Sequence, residues 1–182
     1  MKIIGSVIAR LGSKRLTYKN LLPFNGVPLV RLAVDRLIDS GLFDQVVLST
    51  DSELIARTCL DCDVEILKRP PELANDKTPS IPVFSHIVDN FPSDIHLNYN
   101  CNFPVCGKCV FKEAIDLTVK YGEALSVPYA VWAQSKEVLK TYKDPMKITA
   151  HKFNTPEVHP LDIHTMEDML SAHRENQKSL NW

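Results

Sequence analysis

The stretch IIGSVIARLGSKRLTYKN, residues 3–20, joins an apolar run to a strongly basic loop. The run at 3–9 has the length and apolarity of a short buried β-strand. The loop behind it contains a glycine, a serine, a threonine and the four cationic side chains of Arg10, Lys14, Arg15 and Lys19. Backbone amides and cations both favour an anion, so this loop predicts an anion site at the end of the first strand. Composition alone leaves a solvated basic loop as the alternative.

The number of cations indicates which anion would suit the loop. Several cations exceed what one carboxylate needs, and a polyphosphate is the better match. Two common phosphate-binding loops are excluded, because the chain contains neither G-x-x-x-x-G-K-[ST] nor G-x-G-x-x-G. The sequence therefore predicts a polyphosphate site of another kind.

The composition is that of an ordinary globular protein. The chain has 182 residues, 45% of them hydrophobic and 24% charged, with a formal net charge of −1. This balance gives no support for nucleic-acid binding or for a polybasic membrane surface. No apolar run reaches the roughly 18 to 20 residues needed to span a bilayer, and the N-terminus lacks the features of a secretory signal. We therefore expect a cytoplasmic protein that binds small molecules, with no nucleic acid and no membrane among its partners.

Five cysteines form two C-x-x-C pairs and one single thiol. The pairs are Cys59 with Cys62 and Cys106 with Cys109, and Cys101 stands alone. An odd number of cysteines without a signal sequence predicts reduced thiols. Each pair is also half of a zinc-site pattern, so a zinc site and isolated buried thiols are both open interpretations. A reactive thiol at Cys101 is a further alternative.

Strand and helix patterns alternate along the chain. Strands are expected at 3–9, 46–50, 64–67, 95–99 and 124–132. Helices are expected at 28–41, 52–60, 79–91 with Thr78 as N-cap, 111–122, 134–142, and after a capping box of Thr165 and Asp168. This alternation predicts one α/β domain, 1–182, with a mostly parallel sheet between two layers of helices. In such sheets, ligands bind beyond the carboxyl ends of the strands. The basic loop follows the first strand and Arg69 follows the third, so both are expected at this edge of the sheet.

The order of these motifs resembles the acylneuraminate (nonulosonic acid) cytidylyltransferase family, with the 3-deoxy-manno-octulosonate type as cousins. The family signature is an apolar strand followed by Ala-Arg-x-x-Ser-Lys-Arg and then by Lys-Asn. The chain has ARLGSKR at 9–15 and KN at 19–20. The other similar segments are GVPL at 26–29, SGLFDQVVLSTDSELIA at 40–56, KRPPELANDKTPS at 68–80 and LDIHTMED at 161–168.

The resemblance implies a three-layer, nucleotide-diphosphosugar-transferase-like (Rossmann-like) fold. It also implies transfer of a nucleotide from CTP to the anomeric hydroxyl of a sialic-acid-like or related sugar acid, with release of pyrophosphate. Arg10 and Lys19 would be the catalytic cations, and Asp162 would bind Mg²⁺ or another divalent cation. The residues that would hold the nucleotide are Ala9, Arg10, Ser13, Lys14, Arg15, Lys19, Asn20, Arg69, Ser80 and Asn98. A homodimer is compatible with the resemblance.

The chain departs from the family pattern in its second half. His164 replaces the second aspartate of the metal turn, and magnesium binds imidazole poorly. The spacing of His159, Asp162 and His164 would suit a transition metal, whereas solvent-facing histidines beside a helix cap are the plainer interpretation. Asn98 is taken as the replacement for a family glutamine. The family's arginine in the same turn has no counterpart.

A segment that builds the dimerisation arm and part of the acceptor pocket in relatives is shortened or absent between Trp132 and His159. These departures support two alternatives to a sugar-acid cytidylyltransferase. The first is a non-catalytic relative that binds nucleotide, and the second is a transferase with a different acceptor. Tyr129 and Trp132 are expected at the core or the rim of the site, where base stacking is the less favoured interpretation.

Overall fold

The computed structural model describes residues 1–144 and 149–179, with side chains described as far as residue 175. A seven-stranded sheet contains β1 (Ile3–Ala9), β4 (Gln45–Thr50), β5 (Glu65–Lys68), β6 (Ile95–Tyr99), β7 (Glu123–Val127), β8 (Val131–Ser135) and β9 (His151–Asn154), and a small hairpin contains β2 (Pro23–Phe24) and β3 (Val27–Pro28). The helices are α1 (Leu29–Ser40), α2 (Glu53–Arg57), α3 (Ser80–Asn90), α4 (Lys108–Tyr121), α5 (Lys136–Thr141) and α6 (Met166–Ser179). Single 3-10 turns lie at Lys19–Leu21 and Pro71–Leu73.

The strand order is β5-β4-β1-β6-β8-β7-β9. Pairs from β5 to β6 are parallel, β8 runs antiparallel to both β6 and β7, and β9 is parallel to β7. This arrangement confirms the predicted α/β fold with a mostly parallel sheet. Because β1 lies between two parallel partners, the loop that follows it opens at the middle of the carboxyl edge.

Helices cover both faces of the sheet, as the alternation predicts. Apolar residues of α1, α2 and α4 pack with one face, and those of α3 and α5 pack with the other. A separate apolar cluster joins α6 to the β2–β3 hairpin and to the start of α1. No described helix combines the length and apolarity needed to span a bilayer.

Several predicted elements need correction. The strand expected at 124–132 is two antiparallel strands, β7 and β8, because the chain turns at Pro128, whose peptide bond is cis. The helices expected at 52–60 and 134–142 are shorter than predicted: they are α2, Glu53–Arg57, and α5, Lys136–Thr141. Thr78 does not cap α3: Pro79 holds that position, and the Thr78 hydroxyl donates to the carbonyl of Glu72. The β2–β3 hairpin and β9 have no counterpart in the sequence prediction.

The capping box before α6 is confirmed. Asp168 Oδ2 accepts from the backbone N–H groups of His164 and Thr165, and Thr165 Oγ1 accepts from the N–H of Asp168. The hydrogen bond from the backbone N–H of His164 is the main cause that holds the pKa of Asp168 below its usual range. The predicted shortening between Trp132 and His159 includes residues 145–148, which lie outside the described residues, and it stays a prediction, as does the single domain.

Candidate functional site

A cleft of about 520 Å³ opens at the carboxyl edge of the central strands. It lies between the loop after β1, the segment between β5 and α3, and the turn after β6. Of the predicted nucleotide-site residues, the structure brings these into the lining: Arg10, Ser13, Lys14, Arg15, Lys19, Asn20, Arg69, Ser80 and Asn98. Ala9 is not in the lining and is buried at the end of β1. The basic loop and Arg69 therefore face one shared space, as the strand order requires.

Two cations at the outer rim of the cleft form ion pairs with a carboxylate of the same chain. Arg10 Nη2 lies 2.6 Å from Asp76 Oδ1, and Lys14 Nζ lies 2.6 Å from Asp76 Oδ2. These cations, Lys14 first, keep the pKa of Asp76 below its ordinary value. A carboxylate thus sits where the resemblance would place a phosphate. Asp76 was not singled out by the sequence analysis, since nothing in its local sequence shows that its loop reaches the β1 loop.

Lys19 lies deeper and is differently placed. Burial lowers the pKa of its ammonium group, and interactions with the nearby Cys101 and Asp162 side chains act in the opposite direction. No hydrogen bond or ion pair of Lys19 Nζ is found among the residues the structure describes. A desolvated cation without a fixed partner interacts strongly with an incoming anion, because water screens it weakly.

Arg69 forms part of the buried wall. Its side chain donates through Nε to Ser49 Oγ at 3.2 Å and through Nη2 to the Ser49 carbonyl at 2.6 Å. Only 5% of the residue is exposed, and burial lowers the pKa of the guanidinium to about 10. The β4 strand therefore fixes this cation in place, with one edge of the guanidinium directed at the backbone.

Asn20 fixes the shape of the loop after β1. Its Nδ2 donates to the Arg10 carbonyl at 2.9 Å, and its Oδ1 accepts from Cys101 Sγ at 3.3 Å. The amide thus joins the start of the basic loop to the turn after β6. Burial raises the pKa of the Cys101 thiol, which disfavours a reactive thiolate.

Arg15, His164 and Asp162 form a row at the other end of the cleft. Arg15 Nη2 donates to His164 Nδ1 at 2.8 Å, because arginine has no acceptor. His164 must then donate through Nε2 to Asp162 Oδ2, which lies 2.8 Å away. Asp162 is not in the lining, yet its Oδ1 is buried and has no hydrogen-bond partner within residues 1–144 and 149–179. This unpaired carboxylate oxygen is a hard donor of the type that Mg²⁺ and Mn²⁺ prefer.

The zinc and transition-metal sites considered from the sequence find no cluster of three possible ligands among the described residues. Within residues 1–144 and 149–179, no three His, Cys, Asp or Glu side chains are grouped closely enough to hold a metal ion. His159 Nε2 instead lies 2.6 Å from Glu175 Oε2. The five cysteines are free thiols. A divalent cation bound at Asp162 would need most of its ligands from substrate and water.

The inner wall of the cleft is polar and carries no charge. It contains Asn98, Asn100 and Asn102, together with Tyr129, whose hydroxyl interacts with Ser80. Burial raises the pKa of Tyr129 to about 12, so the hydroxyl stays protonated. The sequence analysis did not identify Asn100 and Asn102. Both follow β6 at every second position after Asn98, and this spacing at the carboxyl end of a strand could have indicated that they line the cleft.

Comparisons with known proteins agree with this geometry. A family model described as cytidylyltransferase matches residues 4–176. The N-acylneuraminate cytidylyltransferase of Streptococcus agalactiae serotype V is 37% identical over 93 residues, which are 50% of this chain and 22% of that protein. The pseudaminic acid cytidylyltransferase of Campylobacter jejuni is 31% identical over 122 residues, which are 64% of this chain and 53% of that protein. This chain thus spans from about a fifth to about half of the length of these relatives.

Solved structures show the same fold. A CMP-2-keto-3-deoxy-manno-octonic acid synthetase in complex with CTP has a TM-score of 0.83 at 13% identity, covering 99% of this chain and 100% of its own. A cytidylyltransferase from Leptospira borgpetersenii has a TM-score of 0.74 at 17% identity, covering 98% and 95%. The family match extends over nearly all of the described residues, from β1 into α6, and includes every element that carries the cleft. The chain belongs to the cytidylyltransferase family.

Proposed function

We propose that this chain transfers a cytidylyl group from CTP to the anomeric hydroxyl of a sialic-acid-like or related sugar acid, forming a CMP-sugar and pyrophosphate. The relatives named for N-acylneuraminate and pseudaminic acid support this substrate class. The observation that carries the proposal is the convergence of Arg10, Lys19 and Arg69 on one cleft. Three cations in one partly desolvated space suit a triphosphate better than any single carboxylate.

The cations have distinct tasks in this reaction. Attack at the α-phosphorus displaces pyrophosphate, whose growing charge must be stabilised as the bond breaks. Lys19 and Arg10 take that task as catalytic cations, and Lys14 and Arg15 add charge at the exposed side. Arg69, which is buried, and Ser80, which is half-buried, would hold the nucleoside, with Ser13 and Asn20 shaping the loop beneath the phosphates.

A divalent cation, with Mg²⁺ preferred, fits the carboxylate end of the cleft. Asp162 would hold it through Oδ1, the buried oxygen for which the described part of the chain provides no hydrogen-bond partner. A bound cation would neutralise phosphate charge and orient the phosphate groups. A structural neighbour, Rv0371c from Mycobacterium tuberculosis, was solved in complex with manganese, which supports a divalent site in this fold.

Binding of CTP without turnover is a second candidate function. His164 occupies the position of the second family aspartate, and its two ring nitrogens are already paired with Arg15 and Asp162. In this arrangement the imidazole holds neighbouring side chains and offers no lone pair to a metal. A nucleotide-binding relative that lost its metal turn would look the same at this end of the cleft.

Calorimetry and a pyrophosphate assay separate the two candidates. Titration with CTP in the presence of MgCl₂ is expected to show binding below 1 mM, on the order of typical KM values. Absence of binding at several millimolar CTP would exclude both functions. Pyrophosphate release with N-acetylneuraminate or pseudaminate supports the transferase. If CTP binds and neither acid is used, His164→Asp tests for a decayed metal turn, and turnover gained by that variant favours the non-catalytic relative.

The setting of the protein follows from this function. A cytidylyltransferase that uses soluble nucleotides would work in the cytoplasm with small-molecule partners, without nucleic acid or membrane. Products of this class supply cell-surface polysaccharide synthesis. A homodimer remains part of the proposal, and equilibrium sedimentation of the chain tests it directly.

A further inference from the structure

Four buried polar side chains form a row of hydrogen bonds beneath the cleft, on the sheet face that α3 covers. Ser6 Oγ lies 2.8 Å from His96 Nε2 and 3.2 Å from Asn98 Oδ1, and His96 Nδ1 lies 3.0 Å from Gln134 Oε1. None of the four is more than 2% exposed. We call Ser6, His96, Asn98 and Gln134 the polar relay. Of these four, Asn98 alone lines the cleft.

The relay crosses the centre of the sheet. Register pairs Ser6 of β1 with Asn98 of β6, and His96 of β6 with Gln134 of β8. Phe84 of α3 packs on the imidazole with ring centroids 4.8 Å apart, so water does not reach this side. Each polar atom must therefore find its partner within the relay or go without, and an unpaired buried group costs about 1–3 kcal/mol.

The single hydroxyl hydrogen of Ser6 sets the direction of the relay. Ser6 donates it to Asn98 Oδ1, so the Ser6 oxygen must accept from His96 Nε2–H. His96 Nδ1 is then an acceptor. Burial lowers the pKa of His96 to about 4, which leaves a neutral ring with one N–H near pH 7.

Gln134 supplies the donor that this tautomer needs. Two acceptors cannot pair, so we exchange the two ends of the Gln134 amide and assign the NH₂ group to the position facing His96 Nδ1, because amide ends are assigned by their hydrogen bonds. The end away from His96, where the structure places Nε2, is buried and has no hydrogen-bond partner among the described residues. A carbonyl oxygen is tolerated there better than an unpaired N–H donor. Donation therefore runs from Gln134 to His96, from His96 to Ser6, and from Ser6 to Asn98.

We propose that Ser6 and His96 are positioning residues that hold the Asn98 amide with its Nδ2 donor turned to the cleft, where it binds an acceptor oxygen of the sugar acid. Nδ2 has no hydrogen-bond partner among the described residues, and the relay occupies Oδ1. Reversing the relay would reverse the amide and present an acceptor instead. The identity of the bound group rests on the proposed function, whereas the orientation of the amide does not.

Asn98 is among the residues expected to hold the nucleotide, but its position in the sheet indicates contact with the sugar acid instead. Asn98 stands on β6 next to Trp132 of β8, against whose indole Tyr129 packs edge-on at 5.9 Å. Arg69 follows β5, at the opposite edge of the parallel strands. The loop after β1 lies between the two. A triphosphate held by that loop, with its nucleoside beside Arg69, leaves the Asn98 side for the acceptor.

Nitrogen-15 NMR of the histidine rings tests the orientation without any substrate. We expect the His96 proton on Nε2, with the signals assigned by their loss in His96→Gln. Ser6→Ala should shift them, and Ser93→Ala should not, because Ser93 is a buried serine whose hydroxyl has no hydrogen-bond partner among the residues that the structure describes. A proton on Nδ1, or equal shifts in the two alanine variants, would overturn the direction of the relay.

Steady-state kinetics test the consequence for binding. With whichever of N-acetylneuraminate and pseudaminate supports turnover, Ser6→Ala should raise the KM for the acid about tenfold, while the Kd for CTP changes less than twofold. Asn98→Asp keeps the acceptor for Ser6 and removes the NH₂ donor, so it should raise that KM at least as much. An unchanged KM, or an equal loss of CTP affinity, would refute the positioning role. If the wild type turns over neither acid, the proposed transferase fails, and the NMR result still decides the orientation.

Discussion

The rim of the cleft, formed by Arg10, Lys14 and Asp76, differs from the polar relay in exposure and in charge. Rim side chains are between 32% and 82% exposed and carry full charges, whereas no relay residue exceeds 2%. Water screens exposed ion pairs, so their partners are exchanged at little cost. Buried neutral groups lose about 1–3 kcal/mol when a partner is missing, so their arrangement is held. At the rim, a phosphate can therefore replace the Asp76 carboxylate as the partner of Arg10 and Lys14. The relay, in contrast, holds its side chains in one arrangement.

Lys19 lies between these two regions, and removing it should give the largest effect. Lys19→Ala is expected to lower kcat/KM at least a thousandfold, because it removes a largely desolvated ammonium group that would stabilise the departing pyrophosphate. Pyrophosphate release measures the effect. Lys112→Ala is the control, since Lys112 pairs with Asp116 on the exposed side of α4. Loss of less than tenfold in Lys19→Ala would place this residue with the rim cations.

The relay should make folding stability sensitive to mild acid. His96 is almost fully buried, and its pKa falls from 6.5 to about 4 on folding. Between these values the unfolded chain takes up a proton that the folded chain refuses, so stability present above pH 6.5 is lost as the pH falls towards 4. The loss attributable to His96 is about 3 kcal/mol.

Urea unfolding at several pH values measures this dependence. In His96→Gln the slope of unfolding free energy against pH should be smaller across that window, whatever the stability at pH 7. The two proteins differ only at residue 96, so the difference between the two curves reports on the imidazole of His96. Identical slopes would show that the imidazole accepts a proton inside the fold, and the relay would then be less rigid than the contrast with the rim requires.

Asp76→Asn should give the smallest effect and the opposite sign. The substitution frees Arg10 and Lys14 from an internal carboxylate, so CTP should bind about threefold more tightly at low salt. Calorimetry at two salt concentrations measures this change, which should shrink as salt screens the rim. Asp116→Asn, which breaks an exposed pair on α4, serves as the matched control. Weaker CTP binding in Asp76→Asn would show that Asp76 supports the nucleotide instead of competing with it.

The outline of the cleft could be predicted from the sequence because it depends on local patterns and one general rule. The apolar run of β1 ends in cations, β5 ends before Arg69, and parallel strands bring their carboxyl ends to the same edge. The roles of the individual residues in binding and catalysis came from the family resemblance, and they stay predictions. The capping box at Thr165 is equally local and was also predicted correctly.

The remainder depended on which strands become neighbours. Ser6, His96 and Gln134 belong to separate strands, and no local pattern reveals that β8 inserts beside β6 in the antiparallel sense. The apolar run at 124–132 concealed the turn at Pro128, although proline within a predicted central strand is a warning. Asp76 was missed for a related reason, since its pairing with Arg10 requires two distant loops to meet.

The central place of β1 has a consequence for the order in which the protein matures. Ile4 pairs with Gln45 and Ile3 with Ile95, and Arg15 contacts a histidine 149 residues further along the chain. When the basic loop has been synthesised, its more distant partners, Cys101 and His164, have not yet been added to the chain. The nascent polypeptide therefore completes this cleft only after His164 has been synthesised.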